Sequence, residues 1–390
     1  MSSSGLSAAP LHRLHDVMAA YVERGEVPGV VTLISHRGDA SVDCIGYERD
    51  TIFRIASMAK PVTAAAAMIL VEEGVIRLDD PVGGLLPELA EPKVLRTIDA
   101  PVEDTVPASR PITVRDLLTF TLGTGLVFAA PDTYPIQDAL AQAGVVMGSG
   151  SKPAADEFMR RLGSVPLVHQ PGEVWMYNTG SDVLGILISR AAKQPLGAFM
   201  QERIFDPLGM RDTGYCVSTA KLARLPAAYL PQAGGGLTVD DPAGAESSFS
   251  QPPALESGAG GLVSTVDDFL AFARMLLDLG STGGGRVLSR PSVEAMTSDQ
   301  LTAEQKARSP WLPGYFDTHG WGYGVSVVTR RYDVASTPGK YGWEGGYGTS
   351  WYNDPKEDMV TIVMTQLGMT SPLPHTVVRD FRTLAYSALE

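Results

Sequence analysis

The sequence predicts an α/β protein of the α+β type, in which an antiparallel sheet of about five strands is flanked by helices and carries a mostly helical second lobe. Three observations lead there. The chain opens with a helical period followed by two β-rich runs, it closes with strand-like runs followed by a helix, and residues 80–260 between them show no clear strands. The economical arrangement joins both ends in one sheet, giving a discontinuous sheet domain (1–80 and 261–390), a helical insert (81–260) and a cleft between them. With 390 residues, 44% of them hydrophobic and 19% charged, the chain has the composition of a large globular body.

Taken in order, Leu11, Leu14, Met18 and Tyr21 recur at helical spacing, and "EVPG" ends that segment. "GVVTLISHRGDASVDCIGY" follows as two strands around Arg37, Gly38 and Asp39, the pattern of a hairpin. The stretch "VTAAAAMILVEE" (62–73), interior to a helix that Ser57 begins, is small and apolar nearly all round, which marks a buried central helix. In the middle, Thr113 followed by Asp116 reads as a capped helix start, and "GVVMGSGSKPAAD" is the most loop-like stretch, expected at the surface. A helix is expected over 266–279. "WGYGVSVVT" (321–329), "YGTSWYND" (347–354) and "DMVTIVMTQL" (358–367) read as strands, and "HTVVRDFRTLAYSALE" as the closing helix.

Charge narrows the partners. A net charge of −13, with 31 basic residues scattered along the chain, opposes nucleic acid and anionic membrane surfaces, leaving small molecules. The N-terminus lacks a basic segment followed by an apolar one, and no run reaches ~18 apolar residues, so a cytoplasmic location is expected. Cys44 and Cys216 stand far apart and form neither a disulfide framework nor a metal motif; two reduced thiols are expected. No metal or other cofactor is expected: His12 and His15 share a helix face, but no nearby carboxylate or cysteine completes a metal site with them. Composition leaves the oligomeric state open.

The pattern Ser-x-x-Lys occurs at Ser57/Lys60, Ser149/Lys152 and Ser218/Lys221. Ser149 lies in the Gly/Ser loop, and Ser218 opens a short polar stretch where a helix cap is its expected role. Ser57 begins the buried helix, so Lys60 shares its face and is buried with it. Burial disfavours an ammonium and lowers the lysine pKa, leaving a neutral amine able to accept the serine proton. The residues alone leave two readings open: a nucleophile with its base, or a polar cap on an ordinary core helix.

The surrounding text favours the first. "FRIASMAKPVTAAAAMILVEEGVIRLDDPV", "ITVRDLLTFTLGTGL", "VWMYNTGSDVLGILI", "IFDPLGMRDTGY", "SGAGGLVSTVDDFLAFARMLLDLG" and "YGWEGGYGTSWYNDP" occur in that order. Together they resemble the class C β-lactamase-like serine hydrolases (β-lactamase/DD-peptidase fold), and within them the family VIII carboxylesterases and related acyltransferases. The resemblance runs from about residue 11 to the end. It implies Ser57 as nucleophile, Lys60 as its catalytic lysine and Tyr177 as the catalytic tyrosine, with either Lys60 or Tyr177 as the base, since two coupled groups titrate as a pair. It places Thr179 at the family's asparagine position, with Asn178 adjacent, and Trp343 through Gly345 on the Lys-Thr-Gly strand element. Asn178, Thr179, Trp343 and Gly345 are the implied substrate-binding residues, and the backbone N–H groups of Ser57 and Gly346 the implied oxyanion hole. Tryptophan in place of the lysine removes the cation that would bind a substrate carboxylate, which suits uncharged esters.

The implied activity is therefore a cofactor-free serine carboxylesterase acting on small-molecule esters, with acyl transfer to alcohols as an extension. The alternatives are a β-lactamase or D-amino acid peptidase of the same fold, or a binding protein that keeps the cleft. No Gly-x-Ser-x-Gly occurs, so the α/β-hydrolase elbow is absent. Trp311, Tyr315, Phe316 and Trp321, concentrated in residues 309–322, either line an acyl or alcohol pocket or form a buried apolar loop.

Overall fold

A computed structural model of the chain describes residues 5–146 and 152–390. Helix α1 (Ala8–Glu23) buries Leu14, Met18 and Tyr21 as one stripe. Strands β1 (Val30–His36) and β2 (Asp39–Ile45) follow as an antiparallel hairpin. Its turn residues, Arg37 at φ 51° and Gly38 at φ 89°, both have the positive φ that a twisted two-residue hairpin requires. Helix α2 (Ala59–Glu72) is the central helix, buried from Ala59 to Leu70. Further on come α3 (Thr179–Ala192), α4 (Val266–Leu277), strands β3 (His319–Trp321), β4 (Ser326–Val328), β5 (Tyr341–Gly345), β6 (Thr349–Asp354) and β7 (Met359–Met364), and the last helix α5 (Thr376–Ser387).

The strands form one sheet in the order β3-β4-β5-β6-β7-β1-β2, antiparallel throughout. The two chain ends meet where β1 pairs with β7, with Leu33 opposite Ile362. Alternation along β1 sends Val30 and Ile34 to one face, where α1 and α5 supply Leu14, Met18, Val377, Val378 and Phe381. Val31 and Leu33 go to the other face and join the larger core with α2 and α4. Helices therefore cover both faces, as expected, and the sheet is two strands wider than the sequence reading. One expected strand, "WGYGVSVVT", is split: Gly322 lies so close to helix 290–296 that a Cβ would sit 2.0 Å from Met296 O, and Gly324 turns the chain at φ 75°. The other addition is β5, read from the residues only as a motif.

The middle of the chain holds the Val114–Leu118, Pro135–Ala143, Ala155–Gly163 and Leu196–Met200 helices beside α3. Thr113 and Asp116 form the expected capping box. Two small hairpins, Lys93–Leu95 with Thr105–Pro107 and Ala228–Pro231 with Leu237–Asp241, stand where no strands were expected. Their runs of three to five residues fall below the length at which alternation registers. The second hairpin is tied to the end of the sheet, where Gly368 N donates to Tyr229 O at 2.6 Å. Fully buried Arg54 completes that tie, with Nε 2.8 Å from Asp241 Oδ2 and Nη1 3.0 Å from Gln366 Oε1. Both cysteines are free and exposed. Among the described residues no helix is long and apolar enough to cross a membrane.

Candidate active site

Ser57 sits in a single 3-10 turn, Ala56–Met58, that runs directly into α2. The turn is anchored where Ile55 N donates to Leu262 O and Ile55 O accepts from Thr349 Oγ1, both at 3.1 Å. Gly345 lets β5 pass against it: a Cβ there would lie 2.0 Å from Thr349 Oγ1 and 2.3 Å from Ile55 O. This glycine is thus a close-approach residue between the sheet and the Ser57 turn. Ala56, immediately before Ser57, is held at φ 45°.

Lys60, one helical turn on and 1% exposed, has Nζ 2.8 Å from Ser57 Oγ, 2.9 Å from Asn178 Oδ1 and 2.6 Å from Ala259 O. Burial drives its pKa well below the ordinary lysine range; Asp182 opposes that shift and Lys152 assists it. An uncharged amine has two donors and one lone pair. Asn178 Oδ1 and the Ala259 carbonyl accept the two donors, which leaves the lone pair for the Ser57 hydroxyl to donate into.

Tyr177 lies two residues before the start of α3. Its ring lies under Lys60, with Nζ 4.6 Å from the ring centre, and its hydroxyl accepts from Trp343 Nε1 at 2.8 Å. Burial pushes this phenol up to about 12, while hydrogen bonds with Ser57 and Trp343 pull it partly back. Next to it, Asn178 has φ 84° and ψ −64°, and Thr179 N donates to Tyr177 O at 3.3 Å. That is the rare γ-turn with positive φ, a strained conformation for any side-chain-bearing residue. The turn aims the Asn178 amide at Lys60, while Thr179, at the family's asparagine position, is buried in the first turn of α3. The polar partner of the lysine is therefore supplied one residue earlier than the motif implies.

Ser57, Asn178 and Gly346 border a cleft of roughly 690 Å³ whose wall includes Phe249, Pro252 and Leu255. Trp343 is 5% exposed and lies behind Tyr177. With Phe120, Trp175, Trp311 and Trp321 it forms an aromatic cluster that closes off that side of the tyrosine. The 309–322 loop thus packs mainly as a buried apolar wall, although Trp311, Tyr315 and Trp343 also border a second cavity of roughly 290 Å³.

Sequence reasoning missed Lys152. The loop expected at the surface brings it to the cleft, where it pairs with the buried Asp182 of α3. Its partner in the pattern, Ser149, lies outside the described residues. Ser218 precedes a 3-10 turn, Thr219–Arg224, but its side chain makes no capping bond; Lys221 instead pairs with Asp212. His15 bonds to Asp43 at 2.8 Å, and among the described residues no three His, Cys, Asp or Glu side chains are grouped to hold a metal. Ala259, whose carbonyl meets Lys60, lies in "SGAGG", a landmark to which the sequence alone attached no role.

Comparison with known proteins bears on the family and the fold. The family model described as Beta-lactamase matches residues 14–376. Protein Rv1367c of Mycobacterium tuberculosis is 38% identical over 361 residues, covering 88% of this chain and 87% of its own. Esterase EstB of Burkholderia gladioli is 32% identical over 348 residues, covering 83% and 80%. Among solved structures, unliganded simvastatin synthase LovD from Aspergillus terreus superposes with a TM-score of 0.81 at 24% identity, covering 98% of this chain and 99% of that one.

Proposed function

Because this chain belongs to the Beta-lactamase family, we propose that it is a family VIII-like serine carboxylesterase that forms an acyl-enzyme on Ser57 and takes small to medium uncharged esters. The observation that carries this reading is the environment of Lys60: a buried amine, paired with no carboxylate among the described residues, within hydrogen-bond reach of a cleft-lining serine. The naming of relatives as esterase EstB, a lovastatin esterase and acyltransferases supports the same class, including acyl transfer to alcohols.

Ser57 Oγ attacks the ester carbonyl and its proton passes to Lys60 Nζ. The N–H groups of Ser57 and Gly346, both at the cleft, hold the oxyanion, a term typically worth about 3 kcal/mol per donor. Tyr177, hydrogen-bonded to Ser57 and held by the Trp343 indole, protonates the departing alkoxide. Water or a second alcohol then attacks the acyl carbonyl and gives its proton to the Tyr177 phenolate, while the acyl–Oγ bond breaks and Lys60 returns its proton to Ser57. On this reading the cleft lies between a sheet domain (1–80 and 261–390) and an 81–260 insert, which its lining supports by drawing Ser57 and Gly346 from the first and Asn178 and Phe249 from the second. Its bordering cation, Lys152, is already neutralised by Asp182, and Trp343 supplies no charge, so a substrate carboxylate has no free partner there.

Intact-mass analysis after treatment with a fluorophosphonate tests the assignment. Wild type is expected to take one adduct and Ser57→Ala none; an adduct that persists in the variant overturns it. Comparing p-nitrophenyl butyrate with nitrocefin separates the esterase from a β-lactamase, the ester being the faster substrate.

A further inference from the structure

We infer that the Lys152–Asp182 ion pair is the charge balance of the site: Asp182 props the backbone carbonyl that holds Lys60, and Lys152 cancels the charge that this prop would otherwise impose on it. This rests on the reading of Lys60 as the proton acceptor.

Asp182 follows Asn178 by one turn of α3, and its side chain is fully buried. One oxygen accepts from Ser257 Oγ at 2.5 Å and the other from Lys152. Ser257 Oγ in turn accepts from Ala259 N at 3.3 Å, and Ala259 O accepts from Lys60 Nζ at 2.6 Å. The carboxylate thus fixes the segment whose carbonyl orients the amine. Gly258 makes the fit possible, since a Cβ there would lie 2.3 Å from Ser181 O. Thr63 of α2 clamps the same segment by donating to Gly258 O at 2.8 Å.

A buried carboxylate this near favours the ammonium form of Lys60, which is useless as a base. Three titratable groups face Lys60: Asp182 from α3, Lys152 from the segment before the Ala155–Gly163 helix, and the Tyr177 ring. Asp182 is the anion among them. Lys152 therefore has a reason to be drawn from a loop into a cleft wall, where its side chain is 18% exposed. It touches no reacting atom on this account; it is a positioning residue acting through Asp182.

The test is the pH profile of kcat/KM for p-nitrophenyl butyrate, with Ser57 labelling by fluorophosphonate run on every variant. Lys152→Met leaves Asp182 unbalanced, and the acid limb is expected to move up by about one pH unit, roughly tenfold on the sloping part. Lys152→Arg restores it. Asp182→Asn keeps an acceptor for Ser257 while removing the charge, so its limb moves the other way. The double variant Lys152→Met/Asp182→Asn returns toward wild type. Limbs that stay fixed while Ser57 still labels overturn the inference and leave the esterase reading intact; loss of labelling in wild type overturns that reading instead. A merely structural role would lower kcat without moving either limb, and the near-isosteric Asp182→Asn keeps the test open if Lys152→Met does not fold.

Discussion

Replacing Trp343 by phenylalanine removes one hydrogen bond at the tyrosine while keeping most of the ring packing. The indole N–H donates to Tyr177 Oη at 2.8 Å, and both residues are buried. A bond of this kind to a neutral phenol is worth about 1 kcal/mol net, and about 2–3 kcal/mol when the oxygen carries charge. In the proposed mechanism Tyr177 gives up its proton to the leaving group and the bond strengthens by roughly 1.4 kcal/mol, so its loss costs about tenfold in kcat/KM. The phenol's pKa, already about 12, rises further because one of the interactions lowering it is gone. The rate loss should therefore be uniform across neutral pH, with no new limb. A phenyl ring still meets Trp321, now 4.7 Å away and perpendicular, and Tyr177 at 5.6 Å, so the ground state loses about 2 kcal/mol from the bond and the lost volume. Steady-state kinetics on p-nitrophenyl butyrate with a parallel urea titration decides it. Wild-type kcat/KM in a correctly folded Trp343→Phe protein would refute the role given to this hydrogen bond.

Three other perturbations are informative. Asn178→Ala and Asn178→Gly both remove the acceptor 2.9 Å from Lys60 Nζ, so each should lose about tenfold or more in kcat/KM, but only glycine relaxes φ 84°. The glycine variant should be about 1 kcal/mol the more stable in urea, and equal stabilities would show that the turn is unstrained. Arg54→Met strands Asp241 and should cost about 3–5 kcal/mol of unfolding free energy by chemical denaturation; a loss below about 1 kcal/mol would contradict its role as the tie between hairpin and sheet. His319 is held uncharged by burial, its pKa pushed from 6.5 down to about 4. The unfolded chain binds that proton below 6.5 and the folded chain does not, so stability is complete above 6.5 and falls toward pH 4 by about 3 kcal/mol. His319→Phe, which keeps the stacking on Tyr315 at 4.5 Å, should flatten the urea midpoint across that window, and an unchanged slope would refute the assignment.

How far the sequence spoke depended on the range of the interaction concerned. α1, the β1–β2 hairpin and the buried run of α2 were legible because periodicity, a two-residue turn and unbroken apolarity are local properties. The proximity of Ser57 and Lys60 was legible for the same reason, since three residues on a helix are neighbours wherever the helix lies. Tyr177, 117 or more residues away, entered only through resemblance, because no local pattern distinguishes it from a core tyrosine. Lys152 was legible as a loop residue but not as a cleft residue, for its partner Asp182 lies 30 positions on and inside a helix. The exchange of roles between Thr179 and Asn178 was hidden too. It depends on a backbone turn that the motif's spacing does not encode.

The remaining question is why the site tolerates strain. Three non-glycine residues with positive φ surround it: Ala56 at 45° before the nucleophile, Asn178 at 84° after the tyrosine, and Phe120 at 62°, whose ring packs 6.0 Å from Tyr177. Each costs about 1–3 kcal/mol, a sizeable share of the 5–15 kcal/mol by which a typical domain is stable. Each is also pinned by bonds a relaxed backbone would lose. Phe120 O accepts from Met176 N at 2.8 Å, Tyr177 O from Leu126 N at 2.9 Å, and Ile55 O, just before Ala56, from Thr349 Oγ1 at 3.1 Å. Core packing therefore sustains a geometry that the local sequence disfavours. On the proposed mechanism this geometry amounts to preorganisation: Ser57 already stands within hydrogen-bond reach of Lys60 and Tyr177 before any ester arrives, so the reaction need not wait for them to assemble.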